Sequence, residues 1–161
     1  MTKASHQARG FHLVEIIITV AIVSILGMMA APSLQLAAQR QKEQDLRVAL
    51  RQIRTAIDAY HQAAVEKRIE VSTDSTGYPA NLEVLVKGVA DISKPDNQMI
   101  YFIRRLPRDP MHPDKTLSAA ETWGVRSYVS PADAPEEGED VFDVYSLSEG
   151  TGLNNVPYRD W

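Results

Sequence analysis

Residues 10–31 read GFHLVEIIITVAIVSILGMMAA, an apolar run with one formal charge, at Glu15. The 21 residues from Phe11 to Ala31 are enough to span a bilayer, since about 20 apolar residues cross its hydrocarbon core. A carboxylate inside such a segment carries an insertion penalty, so Glu15 needs a partner. Just before the run, residues 1–10 form a short polar leader that ends in Gly10.

This order of leader, glycine, phenylalanine and glutamate resembles the class III signal of type IV prepilins and of type II secretion pseudopilins. The resemblance implies that a prepilin peptidase cuts between Gly10 and Phe11 and methylates the new N-terminus. The mature chain then has 151 residues (161 minus 10). Cleavage creates an α-amino group four residues before Glu15. In a filament, the carboxylate of one subunit can meet the amine of its neighbour, which makes Glu15 the predicted assembly residue.

Two other interpretations of the same run stay open. An ordinary secretory signal peptide would be cut at the small residues Ala30 and Ala31, but its apolar region would be too long and would contain Glu15. A plain signal anchor would keep the segment uncut. In either case Glu15 would lie in an ordinary signal or anchor.

Charge and cysteine content exclude several classes of protein. The formal net charge is −4, and it becomes −6 (−4 minus 2) once Lys3 and Arg9 leave with the leader. This charge argues against a nucleic-acid-binding protein, which would show a basic patch. The chain has no cysteine, which excludes a structural disulfide and a thiolate metal site. The two leader cations should stay in the cytoplasm and place the C-terminal part in the periplasm.

A long helix is predicted from Phe11 to about Ile69. Pro32 lies inside it and predicts a kink or a locally melted stretch. That stretch either lets the helix extend during assembly or is a passive bend at the membrane boundary. Helical spacing after Pro32 predicts an apolar stripe of Leu46, Leu50, Ile53, Ile57, Tyr60 and Ala64. The predicted polar face carries Arg40, Lys42, Glu43, Arg47, Arg51, Gln52, Arg54 and Glu66.

The C-terminal half reads as a small head. Asn81 is a predicted cap for a short helix at residues 82–86, and alternation predicts strands at Trp123–Val129 and Val141–Ser146. The predicted fold class is α+β, with a long N-terminal transmembrane and amphipathic helix packed on a small antiparallel sheet, as in pilins. The predicted segments are a leader at 1–10, a transmembrane assembly helix at 11–32, an amphipathic helix at 33–70 and a periplasmic globular head at 71–161.

The head motifs narrow the resemblance to the major, G-type pseudopilin of type II secretion systems. They are Gly77-Tyr78-Pro79, Leu82-Glu83-Val84-Leu85, Leu106-Pro107-Arg108-Asp109-Pro110, Trp123-Gly124-Val125-Arg126-Ser127-Tyr128 and Phe142-Asp143-Val144-Tyr145-Ser146.

The resemblance also implies a calcium ion in the loop after the last strand. The matching donors are the carbonyl of Leu147 and the side-chain oxygens of Glu149, Asn154 and Asn155, all oxygen ligands of the kind that Ca²⁺ takes. The alternative is a glycine-rich loop closed by the packing of Pro157, Tyr158 and Trp161. A second acidic run, residues 136–140, is predicted to be a solvated loop.

Catalysis finds little support in the sequence. No two of the four histidines share the i, i+4 spacing of metal ligands, and no nucleophile elbow is present. Arg104 and Arg105 are predicted to pair with acidic neighbours or to lie at a subunit interface. The expected function is therefore structural.

The resemblance implies a homo-oligomeric filament that drives protein export across the outer membrane. Its implied partners are prepilin peptidase, minor pseudopilins, and an inner-membrane assembly platform with its ATPase. The localisation is a single pass through the inner membrane with the head in the periplasm. A type IV pilin for adhesion, motility or DNA uptake is the alternative, but its head often carries a disulfide that this chain cannot form. An anchored periplasmic enzyme is a further alternative, and it would need a catalytic constellation.

Overall fold

The protein has an α+β fold with one long helix and small antiparallel ribbons. The computed structural model describes residues 13–72, 74–96 and 98–161, with the backbone alone at 27–34. The chain divides into two units between Gln39 and Arg40. Among the described residues, no helix has both the length and the apolar character that crossing a membrane requires. The elements are α1 (Leu13–Val65), α2 (Leu82–Lys87), β1 (Val89–Ala90), β2 (Met99–Ile100), β3 (Trp123–Arg126) and β4 (Asp143–Ser146), with 3-10 turns at Ala120–Thr122 and Tyr158–Asp160.

The apolar stripe of α1 forms one wall of the core of the second unit, as its spacing predicts. All six stripe residues between Leu46 and Ala64 are at most 8% exposed. Burying a large apolar side chain contributes about 1.5–3 kcal/mol, so this stripe is a major source of stability for the unit. The same core contains Leu82, Leu85, Leu106, Trp123, Val141, Val144 and Tyr158.

α1 ends at Val65, a few residues before the predicted end near Ile69. Lys67 adopts a left-handed backbone with φ 56°. The amides of Lys67 and Arg68 donate to carbonyls of the last helical turn, both at 2.9 Å. These two bonds form a Schellman motif, which ends a helix by satisfying its last carbonyls. Glycine usually occupies this left-handed position, so a lysine there gave no signal of the helix end.

α2 confirms the predicted short helix and its cap. The Oδ1 atom of Asn81 accepts a hydrogen bond from the amide of Val84 at 3.1 Å, which satisfies one of the free donors of the first turn. The carbonyl of Leu85 then accepts from the amides of Phe102 and Ile103 at 3.1 and 3.2 Å. α2 therefore holds the segment that leads into Arg104 and Arg105.

In the described residues, the predicted sheet consists of two separate ribbons. β1 pairs with β2, and β3 pairs with β4, both antiparallel. In the second ribbon Gly124 lies opposite Tyr145. A Cβ atom at Gly124 would clash with the ring of Tyr145, so the tyrosine ring occupies the space that a side chain would need.

β3 and β4 are shorter than the predicted strands because competing hydrogen bonds end the ladder. The amide of Val141 donates to the carbonyl of Pro79 at 2.8 Å, outside the ribbon. The amide of Tyr128 donates to the Oδ1 atom of Asp140 at 2.8 Å. Residues 127–130 and 141–142 thus flank the ribbon rather than extend it.

Candidate functional site: the apolar helix surface and the C-terminal loop

The N-terminal unit presents a large apolar surface. Ten large apolar side chains between Leu13 and Leu26 are each more than half exposed, from 52% to 75%. Soluble monomers rarely expose contiguous apolar patches of this kind without a binding function. The exposed residues are Leu13, Val14, Ile16, Ile17, Ile18, Val20, Ile22, Val23, Ile25 and Leu26.

The polar side chains in this apolar stretch differ in how they are satisfied. The hydroxyl of Thr19 donates to the carbonyl of Ile16 at 2.9 Å, and the hydroxyl of Ser24 donates to the carbonyl of Val20 at 2.7 Å. Such bonds to the helix's own backbone let hydroxyl groups lie in apolar surroundings. Glu15 is exposed and has no hydrogen-bond or ion-pair partner among the described residues. Among the described side chains of this stretch, Glu15 is thus the polar one that makes no bond to the helix itself.

The predicted processing site lies outside the described residues. Gly10 and Phe11 both fall there, so cleavage between them stays a prediction. Pro32 falls within the bounds of α1, but its side chain lies outside the described part, and the predicted kink stays a prediction as well.

The four predicted calcium donors all lie in the loop after β4, and the structure places them near the surface. Leu147 is 47% exposed, and Glu149, Asn154 and Asn155 are exposed. The Oδ1 atom of Asn154 already accepts a hydrogen bond from the amide of Val156 at 3.2 Å.

This donor set does not fit a calcium shell well. Glu149 is its one carboxylate, whereas Ca²⁺ takes six to eight oxygen ligands. Among the described residues, no group of three or more His, Cys, Asp or Glu side chains is placed to hold a metal. We therefore derive no role for calcium, and its binding stays a prediction.

Packing closes the same loop through its aromatic residues. The rings of Tyr158 and Trp161 lie edge to face with their centroids 5.1 Å apart. The guanidinium of Arg47 lies 4.3 Å from the centre of the Trp161 ring, a cation–π contact. The amide of Tyr158 donates to the carbonyl of Gly150 at 3.0 Å. These contacts correspond to the second interpretation of the loop, in which packing closes it.

Glu43 fastens this loop to α1, which the sequence analysis missed. The sequence predicts Glu43 on the polar face, but the residue is only 5% exposed. Its Oε1 atom accepts hydrogen bonds from the amide of Leu153 at 2.9 Å and from the hydroxyl of Tyr158 at 3.1 Å. The signal was present in the spacing, because Glu43 lies three residues before Leu46 and continues the apolar stripe. Its charge, however, predicts a place on the solvent side.

Arg54 is a second residue of the predicted polar face that holds the head together. Its Nε atom lies 2.7 Å from the Oδ1 atom of Asp143. Its Nη2 atom donates to the carbonyls of Val144 at 3.2 Å and Trp161 at 2.8 Å. Arg126 approaches the other oxygen of Asp143 at 3.5 Å. One arginine thus links α1 to both β4 and the end of the C-terminal loop.

The second acidic run is solvated except at its last residue. Asp140 is 8% exposed, which corrects its prediction as part of a solvated loop. Its carboxylate accepts from the hydroxyl of Thr76 and from the amide of Tyr128. These two bonds explain the burial, since a buried carboxylate needs hydrogen-bond donors.

His61 lies against an aromatic cluster rather than on an open helix surface. Its ring stacks on Tyr78 with centroids 4.2 Å apart and an interplanar angle of 7°. Tyr78 in turn stacks on Tyr128 and meets the edge of Phe142. Around His61, the described residues form no group of histidine, cysteine or carboxylate side chains that could hold a metal ion.

The fold and the N-terminal surface together agree with the pilin-like class. The long helix carries an exposed apolar first part, and its later part packs into a small α+β head. Comparison with known proteins narrows the class.

The chain is 27% identical over 164 residues to type II secretion system core protein G of Pseudomonas aeruginosa, covering 96% of both chains. It is also 27% identical over 141 residues to the protein of the same name from Klebsiella pneumoniae, covering 84% of this chain and 93% of the relative. No family model and no solved structure matches the chain. The two relatives confirm the resemblance to the G-type pseudopilin that the motifs indicated.

Proposed function

We propose that this protein is a structural subunit of a type II secretion pseudopilus and not an enzyme. The exposed apolar surface between Leu13 and Leu26, with Glu15 among its residues, carries the proposal. An exposed apolar surface of this kind marks a contact with a membrane or with another protein, which shields it from water. Lipid covers it before assembly, and the helices of other copies cover it in the filament. The name of the two relatives, a core protein of a secretion system, supports the same class.

Before assembly, the segment 11–32 spans the inner membrane once. Lys3 and Arg9 stay in the cytoplasm, following the positive-inside rule, and the head faces the periplasm. Prepilin peptidase then cuts after Gly10 and methylates Phe11. The chain becomes ready for assembly when this cut exposes its α-amino group.

Assembly depends on Glu15. A carboxylate in the hydrocarbon region is unfavourable unless it is paired, and the free amine of Phe11 on a neighbouring copy is a suitable counter-charge. Pairing favours the one axial register that brings the two groups together, while the apolar side chains contribute packing without selecting a register. The filament grows from an inner-membrane platform driven by its ATPase, together with minor pseudopilins, and its growth pushes secreted proteins across the outer membrane.

The first test is the N-terminus of the protein extracted from membranes. Intact mass and N-terminal sequencing are compared for cells with and without prepilin peptidase. A mature chain that begins at methylated Phe11, and that is lost without the peptidase, supports the proposal. An uncut chain, or a cut after Ala31, contradicts it.

The second test separates assembly from insertion. Glu15→Ala should insert into the membrane normally but fail to assemble, because the neighbour's amine loses its counter-charge. Ser24→Ala is the matched control, since the hydroxyl of Ser24 donates to the carbonyl of Val20 in its own helix and carries no charge. Normal filaments from Glu15→Ala would contradict the pairing mechanism. Long surface pili on intact cells would instead identify a type IV pilin.

A further inference from the structure

The loop after β4 lies at the end of the second unit where the chain enters that unit. The second unit begins at Arg40, and Glu43 shortly after it accepts a hydrogen bond from the amide of Leu153 in the loop. Glu43 and His61 are both on α1 and lie about 27 Å apart along the helix, at 1.5 Å per residue. The head therefore has an entry end at the C-terminal loop and a far end at the aromatic cluster of His61.

The entry end carries an exposed surface that is both apolar and basic. Leu153 and Val156 of the loop are 42% and 37% exposed. Within the described stretch 40–51, Asp45 is the one exposed carboxylate, and it accepts a hydrogen bond from Gln41. Four basic residues of the same stretch are exposed and take part in none of the described ion pairs. The entry surface consists of these four, Arg40, Lys42, Arg47 and Arg51, together with Leu153 and Val156.

A cleft of about 350 Å³ opens on the entry surface. Arg47, Arg51 and Arg54 line it together with the apolar side chains of Val156 and Trp161. Arginine is well suited to bind phosphate, because its planar group presents several donors to the phosphate oxygens. The cleft thus combines phosphate-binding groups with apolar contacts.

Two of the three arginines of the cleft are available for an anion. Arg54 is already paired with Asp143 at 2.7 Å, whereas Arg47 and Arg51 take part in none of the described ion pairs. Asp160 also lines the cleft, but its carboxylate lies 3.9 Å from the guanidinium of Arg159. Positive charge therefore predominates in the cleft.

We propose that the entry surface docks on anionic phospholipid headgroups of the inner membrane before the subunit assembles. The inference rests on the proposed function, in which the segment 11–32 spans the membrane and the head faces the periplasm. Arg40 follows Pro32 by eight positions, so the chain between them reaches at most about 28 Å even when fully extended. The chain itself thus keeps the entry end next to the bilayer. Apolar side chains can enter the headgroup boundary there while the basic ones meet the phosphates.

The experiment places the full-length chain in lipid vesicles and measures whether the loop reaches the lipid. Because the chain has no cysteine, Val156→Cys gives a single site for a fluorophore on the entry surface. The vesicles consist of brominated phosphatidylcholine, alone or mixed with brominated phosphatidylglycerol, and bromine on the acyl chains quenches a fluorophore that contacts the bilayer. The label should be quenched strongly with phosphatidylglycerol and weakly without it, because the docking depends on anionic lipid.

A second labelling site provides the matched reference. Val129 is 85% exposed and follows Tyr128, which stacks on Tyr78 and through it on His61 at the far end. The same fluorophore on Val129→Cys should therefore stay unquenched in both kinds of vesicle. The comparison separates docking of the entry surface from a general affinity of the label for lipid.

Charge reversal tests the role of the basic residues. Arg47→Glu with Arg51→Glu should lower the ratio of docked to free heads by about 25-fold or more, because each basic residue at an anionic surface strengthens attachment about fivefold. Arg47 also stacks on Trp161, so the pair may not be removed without loosening the loop. Arg40→Glu with Lys42→Glu repeats the test at two exposed residues outside that contact, and it should reduce quenching in the same direction.

Lys67→Glu with Lys94→Glu is the control of equal charge change. Both lysines are exposed and belong to the far end. Lys67 follows the end of α1, and Lys94 lies two positions after Ile92, whose amide donates to the carbonyl of Arg68 at 2.8 Å. This variant should leave the quenching unchanged.

The outcomes separate the inference from the proposed function. Retention of the chain in the vesicles after an alkaline wash is checked first. A chain that is washed out contradicts the proposed membrane segment, so the proposed function fails and the inference falls with it. A retained chain whose Val156 label is quenched with phosphatidylglycerol, and less so after either reversal at the entry surface, supports the docking.

The remaining outcomes overturn the docking alone. These are a retained chain whose label is unquenched, quenching that is equal in the two kinds of vesicle, and quenching that the Lys67 and Lys94 control reduces as much as the entry-surface variants do. Reversals that lower filament recovery in cells but leave the quenching unchanged also overturn it, because the entry surface would then bind a protein.

Discussion

Replacing Glu43 should loosen the C-terminal loop, and the structure gives the magnitude. Hydrogen bonds to a charged group contribute about 1.5–3 kcal/mol each, and Glu43 accepts such bonds from the amide of Leu153 and the hydroxyl of Tyr158. Leu153 is 42% exposed, so water can replace the carboxylate at its amide. Tyr158 is 5% exposed and its bond to Glu43 is buried, so water cannot replace the carboxylate there.

Glu43→Ala should therefore lower the free energy of unfolding by about 2–5 kcal/mol. At roughly 4 °C per kcal/mol for a unit of this size, the melting temperature should fall by about 8–20 °C. The assay is thermal unfolding of the detergent-solubilised chain, followed by tryptophan fluorescence. Both tryptophans, Trp123 and Trp161, lie in the second unit, and Trp161 reports on the loop itself.

Two further variants make the argument specific. Tyr158→Phe removes only the hydroxyl and should cost about 1–2 kcal/mol. Combined with Glu43→Ala it should add little, because the two changes break the same bond. Gln44→Ala, an exposed position on the same helix, should change stability by less than about 0.5 kcal/mol. A loss below about 0.5 kcal/mol for Glu43→Ala would refute the anchoring role. Effects of Glu43→Ala and Tyr158→Phe that add fully in the double variant would also refute it.

The same melts test calcium. If an ion holds the loop, EDTA lowers the melting temperature of the wild-type chain and added calcium raises it. If Glu43 and the aromatic packing hold the loop unaided, neither treatment changes the melting temperature, and the calcium prediction is wrong.

Three more predictions concern the second unit. The pKa of Asp91 is lowered from 3.8 to about 2 by hydrogen bonds from Ser93 and by the Arg68 guanidinium. The stabilising contribution of Asp91 is therefore present above pH 3.8 and is lost as the pH falls towards 2. Asp91→Asn should reduce the fall of the melting temperature over that pH range. Gly124→Ala should destabilise the fold by about 1–3 kcal/mol, because the new methyl group meets the Tyr145 ring; a urea melt checks this, and an unchanged midpoint would contradict it. Ile53→Ala should cost about 2–5 kcal/mol in the same urea melts, and an equal loss from the exposed-site variant Val48→Ala would show that burial is not the cause.

The core could be predicted because helical spacing determines which side chains share a face. All six stripe residues from Leu46 to Ala64 are buried, and Asn81 caps the helix that its position predicted. Both signals are local, since each depends on residues within a few turns of one another.

The polar contacts of the head could not be predicted in this way. The partners of Glu43 lie 110 and 115 residues further along the chain, and the Asp143 carboxylate that pairs with Arg54 lies 89 residues away. A charged residue on a helix is normally assigned to solvent, and only its distant partners justify its burial. The burial of Asp140 could not be predicted for the same reason, because its partner Thr76 belongs to another loop.

The long reach of these contacts has a consequence for how the head folds. The stripe between Leu46 and Ala64 emerges early in synthesis, but parts of its cover, Val144 and Tyr158, emerge close to the end. Contacts of such high sequence separation form slowly, because the intervening chain must be closed first. Until then, the stripe is an aggregation-prone apolar face on an incomplete chain. A premature stop before β4 should therefore yield a product recovered with chaperones or degraded, even though most of the head's sequence is present.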